Sequence, residues 1–127
     1  MSTSPLQGAN VTPLNKQRYG MVGCGMMGQE HLRNMALLPD IEVAAIFEPD
    51  AGMRARSQAL APAAAQLDSL EALLAWPELD ALVITSPNHC HAAQLQQIAQ
   101  TRPLPVLMEK PACTNLAAVQ ALRQLVA

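Results

Sequence analysis

Apolar and polar positions along this 127-residue chain alternate between short apolar runs and longer segments of helical spacing. Residues 1–16 show neither pattern: they are polar, carry Pro5, Gly8 and Pro13, and read as a disordered tail. Regular order begins at Arg18. Tyr19–Val22 is a short apolar strand that runs into glycines. Gln29–Leu38 has helical spacing, with Leu32, Met35, Ala36 and Leu38 on one face and Pro39 as its stop. Ile41–Phe47 is a second strand, and Asp50 caps a helix running to about Leu60, closed by Pro62. Ala63–Leu67 is a weak third strand, and Asp68-Ser69-Leu70-Glu71 resembles a capping box for a short helix to about Trp76.

Ala81–Thr85 is a continuous apolar strand of the kind found where both sheet faces are covered. His89–Gln100 reads as a helix with Ala92, Leu95, Ile98 and Ala99 inward, and Leu104–Met108 as a fifth strand. Thr114 caps a last helix that still runs at Ala127. Strand and helix alternate five times, which predicts a doubly wound α/β fold: a parallel sheet of about five strands with helices on both faces, over residues 17–127.

Composition narrows the function classes. Half the residues are apolar and the formal charge is -2, which argues against disorder and against a nucleic-acid partner held by bulk electrostatics. Tyr19, Phe47 and Trp76 are the only aromatic residues, too few for a base-stacking platform. No segment approaches the roughly 20 apolar residues of a membrane span, so no membrane partner is expected. Cys24, Cys90 and Cys113 are odd in number and widely spaced, which suits a reducing, cytoplasmic setting.

The chemistry gathers at strand ends. Gly23-Cys24-Gly25-Met26-Met27-Gly28 is a GxGxxG that follows the first strand and opens the first helix. In that context Gly23 allows a tight turn, Gly25 lets a pyrophosphate approach the backbone, and Gly28 lets helix and strand pack closely. The side chains of Met26 and Met27 are expected to pack around the loop. The helix start offers N–H donors and a positive dipole end to phosphates. Glu48, at the end of the second strand, is spaced to accept the ribose hydroxyls of NAD. Arg54 and Arg56 lie just beyond, and either could instead pair with the extra phosphate of NADP. NAD is favoured slightly over NADP; a solvated loop carboxylate is the plainer reading of Glu48.

Ser86, Pro87, Asn88 and His91 follow the fourth strand, and Glu109-Lys110-Pro111 the fifth. Three of five strand ends thus carry distinctive residues on the edge where doubly wound sheets bind ligands. His89, Cys90 and His91 could suggest zinc, but residues two apart on a helix do not face each other and no further ligand cluster is near.

These motifs resemble those of the Gfo/Idh/MocA oxidoreductase family, which includes glucose–fructose oxidoreductase and inositol dehydrogenase. Three landmarks match in order: the glycine loop at Gly23, Gly25 and Gly28, then Pro87, Asn88 and His91, then Glu109-Lys110-Pro111. The resemblance implies hydride transfer between a nicotinamide dinucleotide and a hydroxyl-bearing carbon of a sugar, polyol or related substrate. It implies Lys110 as the catalytic residue, orienting the substrate hydroxyl and helping to move its proton. It implies Glu109 as a cofactor- or loop-positioning group, and Asn88 and His91 beside the nicotinamide. For His91 the alternative is local packing at a helix start; for Lys110 it is an exposed strand-end lysine.

Family members continue into a second α/β domain that completes the catalytic set, the substrate pocket and the homo-oligomer interface. The sequence contains no such domain, so it reads as a truncated chain that binds nucleotide without turnover. Two other readings stand beside it. One is a dinucleotide-sensing module without catalysis. The other is a CoA- or nucleotide-binding Rossmann domain of another family, which would give no reason for Glu109-Lys110-Pro111.

Overall fold

A computed structural model of the chain describes residues 16–108. The N-terminal tail through residue 15, Glu109, Lys110, Pro111, Cys113 and the helix expected from Thr114 lie outside the described residues.

The strands are β1 (Gln17–Val22), β2 (Ile41–Phe47), β3 (Ala65–Leu67), β4 (Ala81–Ile84) and β5 (Val106–Met108). They form one sheet in the order β3-β2-β1-β4-β5, with every pairing parallel. The helices are α1 (Met26–Met35), α2 (Ala51–Leu60), α3 (Leu70–Leu74) and α4 (His91–Thr101), the last entered through a 3-10 turn at Asn88–Cys90. The doubly wound architecture expected from the alternation of elements is therefore present.

Alternation along the central strands sorts side chains onto two faces. Met21, Ile46 and Val83 join Leu32 of α1 and Ala64 in one buried cluster, against which Leu60 at the end of α2 packs. Val22, Ala45, Leu82 and Ile84 point the other way, into a cluster with Leu70, Leu73 and Leu74 of α3 and Ile98 of α4. α1 and α2 touch each other, as do α3 and α4. The first two crossovers thus cover one face and the last two the other.

Two devices tighten the centre. β1 shifts register against β2 between Tyr19 and Gly20. Gly20 is the only residue type that fits there without displacement, because a Cβ would lie 2.9 Å from Leu82 Cδ2 and 3.2 Å from Leu73 Cδ1. At the N-terminal edge of the sheet Arg18 pairs with Glu42 at 2.8 Å and donates through Nε to Glu78 O at 3.0 Å. That edge carries tethers; the opposite edge carries the glycine loop.

Helix boundaries differ from the periodicity in instructive ways. α1 starts at Met26, three residues before the expected Gln29, and ends at Met35. Ala36 and Leu38 are exposed rather than inward, because the chain has already turned out of the helix ahead of Pro39. Ala99, expected inward, is also exposed; Ile98 is the buried anchor of α4, with Ala92 and Leu95 half-buried.

Candidate functional site at the glycine loop

Sequence order climbs outward from β1 through β2 to β3, then jumps back to β4 on the other flank of β1. The crevice beyond the C-terminal ends of β1 and β4 is the topological switch point, where open α/β sheets bind ligands. The glycine loop and the Thr85–Asn88 turn both open there.

Gly23 makes the turn out of β1 with φ 84°, a left-handed conformation that side chains rarely adopt. Space forbids a side chain as well: a Cβ would lie 2.5 Å from both Cα and N of Ser86. Gly28 is equally constrained, with a Cβ 2.6 Å from Thr85 Oγ1 and 3.2 Å from Gly23 O. The first glycine thus lets the loop lie against the backbone of Ser86 just past β4, and the third lets α1 lie against the Thr85 hydroxyl and Gly23 O. Gly25 differs. A Cβ there would meet only Met53, at an ordinary 3.6 Å from its Sδ. Its lack of a side chain is not needed for packing against this protein.

The loop backbone is tied on three sides. Gly23 N donates to Phe47 O at 2.8 Å, and Gly23 O accepts from Thr85 Oγ1 at 2.8 Å. Cys24 N donates to Glu48 Oε1 at 2.6 Å, and Cys24 O accepts from Gln29 Nε2 at 3.2 Å. Glu48 is buried, and its other oxygen, Oε2, accepts from Asp50 N at 2.8 Å. It is not a solvated loop carboxylate. Each of its oxygens takes one backbone N–H, which leaves each a second lone pair for another donor.

Cys24 is fully buried, its thiol turned inward from the loop. Burial and, secondarily, the Glu48 carboxylate push its pKa from 9.0 to about 11, against a lowering hydrogen bond with Ser57. A thiol held protonated this firmly has no nucleophilic role at neutral pH.

α1 opens without a side-chain cap: its N-cap is Gly25. α2 and α3 are capped, by Asp50 accepting from Met53 N and by Ser69 accepting from Ala72 N. The first-turn N–H groups of α1 therefore lack both intrahelical and side-chain partners. Met26 is 85% exposed and Met27 53%, so neither side chain packs around the loop as expected. They occupy the first helical positions, where the backbone faces the crevice and the side chains face water.

Across the crevice Ser86 is buried, while Pro87 and Asn88 are exposed at its rim. His91 is fully buried, with Nε2 2.9 Å from Ser86 O. It packs beneath the turn. Arg54 lies half-exposed in α2, one position after Met53, and Arg56 is exposed. Among the described residues no group of three or more His, Cys, Asp or Glu could hold a metal ion. No helix among them is long and apolar enough to cross a membrane.

Residues 17–127 match the family described as an oxidoreductase family with an NAD-binding Rossmann fold. The chain belongs to the Gfo/Idh/MocA oxidoreductase family. It is 39% identical over 109 residues to an inositol 2-dehydrogenase of Leifsonia xyli subsp. xyli, covering 85% of this chain and 31% of that protein. A myo-inositol dehydrogenase of Lactobacillus casei, solved with NAD(H) and myo-inositol, superposes with a TM-score of 0.78 at 25% identity, over 87% of this chain and 33% of that one. The WlbA dehydrogenase of Bordetella pertussis, solved with NADH and UDP-GlcNAcA, gives a TM-score of 0.76 at 28% identity, over 87% and 33%. The chain thus spans about a third of the length of these Gfo/Idh/MocA relatives.

Of the predicted site residues, the structure brings the glycine loop, Glu48, Ser86, Pro87 and Asn88 to one crevice. Sequence reasoning missed Thr85, Gln29 and Ser57, which hold the loop from behind. Thr85 carried a readable signal, as the polar residue ending an apolar strand. Gln29 and Ser57 carried none: Gln29 reaches back five residues from α1 to Cys24 O, and only the docking of α2 brings Ser57 to the Cys24 thiol.

Proposed function

We propose that this chain is the cofactor-holding part of a nicotinamide-dependent dehydrogenase acting on a hydroxyl-bearing carbon of a polyol or sugar. The observation that carries the reading is the uncapped start of α1 behind an open Gly25, next to a buried, pre-oriented carboxylate just past the end of β2. These residues fit a dinucleotide. The first-turn N–H groups of α1 would take the pyrophosphate. Glu48 would accept the adenosine ribose hydroxyls with its remaining lone pairs, and its fixed negative charge disfavours a 2′-phosphate, so NAD is preferred over NADP. Arg54 is the counterweight, half-exposed and near enough in sequence to answer such a phosphate.

The turn at Ser86, Pro87 and Asn88 would flank the nicotinamide half. When bound, the nicotinamide supplies the hydride acceptor. Lys110, which follows β5, is assigned to orient the substrate hydroxyl and help move its proton. Glu109 is assigned to position the cofactor or the loop. Support for an inositol- or sugar-type substrate comes from the named relatives.

Calorimetric titration of the 127-residue chain with NADH and NADPH tests the reading. Binding of NADH more tightly than NADPH, with no oxidation of myo-inositol by this chain alone, is the expected result. Absence of binding to either nucleotide refutes it. In Glu48→Gln the preference for NADH should relax, since the amide keeps the shape and loses the charge.

A further inference from the structure

The buried histidine at the start of α4 is an ionisable side chain beside the crevice to which the cofactor reading gives no direct contact with a ligand. Its Nε2 lies 2.9 Å from Ser86 O. A carbonyl oxygen only accepts, so Nε2 must carry the proton and donate. One turn further along α4, Gln94 Oε1 accepts from Ser86 Oγ. Ser86 is thus gripped twice by α4, at its backbone by His91 and at its side chain by Gln94. The gripped residue is also the one against whose backbone Gly23 packs. The hydrogen bonds of the glycine loop described above run to Phe47, Glu48, Thr85 and Gln29 and not to Ser86.

From this division we infer that His91 and Gln94 are positioning residues that set the wall of the nicotinamide half of the crevice, acting through Ser86 rather than touching the cofactor. The adenosine half is set separately by Glu48 and the glycine loop. The inference rests on the cofactor reading above and adds a partition to it: one set of braces for each half of the dinucleotide.

The test compares NADH with ADP, which carries only the adenosine and two phosphates, on the same 127-residue chain. His91→Leu should weaken NADH by about tenfold while ADP changes by less than about twofold, the scale expected for one lost buried hydrogen bond. His91→Gln, whose amide can donate to Ser86 O, should recover most of the NADH affinity. Gln94→Ala, at a half-buried position, should fold normally and weaken NADH about threefold with ADP again unchanged. That variant decides the matter if His91→Leu does not fold.

Equal losses for NADH and ADP in folded variants would mean a general packing role and would overturn the inference. Unchanged NADH affinity in folded His91→Leu or Gln94→Ala would overturn it too. Failure of the unsubstituted chain to bind NADH and ADP would instead bring down the cofactor reading itself, and this partition with it.

Discussion

Gly23 shows how much a single position can be asked to do. It must adopt a positive φ, leave room for the backbone of Ser86, donate its N–H to Phe47 O of β2 and accept at its carbonyl from the Thr85 hydroxyl just past β4. An alanine there meets both a conformational penalty and a collision with backbone that has nowhere to go. Gly23→Ala should lower stability by at least about 2 kcal/mol in urea denaturation. Gly25→Ala, whose Cβ meets only ordinary contacts within the protein, should cost less than about 1 kcal/mol and act instead on nucleotide affinity. Comparable stability losses for the two would contradict the division of labour among the glycines.

Cys24 gives a pH dependence with a defined sign. The folded chain keeps the thiol proton up to about 11, whereas an unfolded chain releases it near 9.0. Between those values the folded state binds more protons, so stability falls as pH rises. Below pH 9 this contribution is fully present. The stability advantage of the native chain over Cys24→Ala should therefore shrink between pH 9 and pH 11 and stay constant below. At pH 8, iodoacetamide should label half-buried Cys90 well before Cys24 in the folded protein.

At the scale of elements, caps decide where helices begin. Asp50 was legible in sequence because a short polar acceptor before a helical pattern satisfies an orphan N–H, and it does so here; the capping box read at Asp68–Glu71 lies one residue early, since Ser69 is the cap and accepts from Ala72 N. Asp50→Ala and Ser69→Ala should each cost about 1 kcal/mol, read as a shift in denaturation midpoint without a change in slope. The start of α1 was not legible. Gly25, Met26 and Met27 follow no apolar period: both methionines are exposed and Gly25 has no side chain, so burial does not set this helix start. The late start of α4 has a similar origin: Pro87 opens a 3-10 turn, and the α-helix proper begins at His91, whose burial no apolar pattern announces.

At the scale of the molecule, the two apolar clusters are separated by a single sheet, and Leu73 is the fully buried α3 residue that packs down on one face of it, against Leu82 and over Gly20. Leu73→Ala should destabilise by about 2–5 kcal/mol, because neighbours fixed in the sheet cannot collapse into the void. Its effect should appear as global unfolding, with protection from amide exchange lost across β1, β2 and β4 together. Local loosening of α3 alone would argue that the short helix is peripheral.

By itself the sequence determined the alternation of strands and helices, the parallel sheet, the glycine loop and the family. Each of these rests on short-range periodicity or on residues adjacent in the chain. Only the tertiary structure decided which residues meet across the switch point. Glu48 holds Cys24, Thr85 holds Gly23, and His91 holds Ser86. Two of these bonds join residues far apart in sequence, and the third depends on a turn that burial, not periodicity, sets. A hydrogen bond to a backbone atom leaves no mark in the residue type it touches. The loop's chemistry could therefore be read from the chain, but the bracing that fixes its shape could be read only from the packed fold.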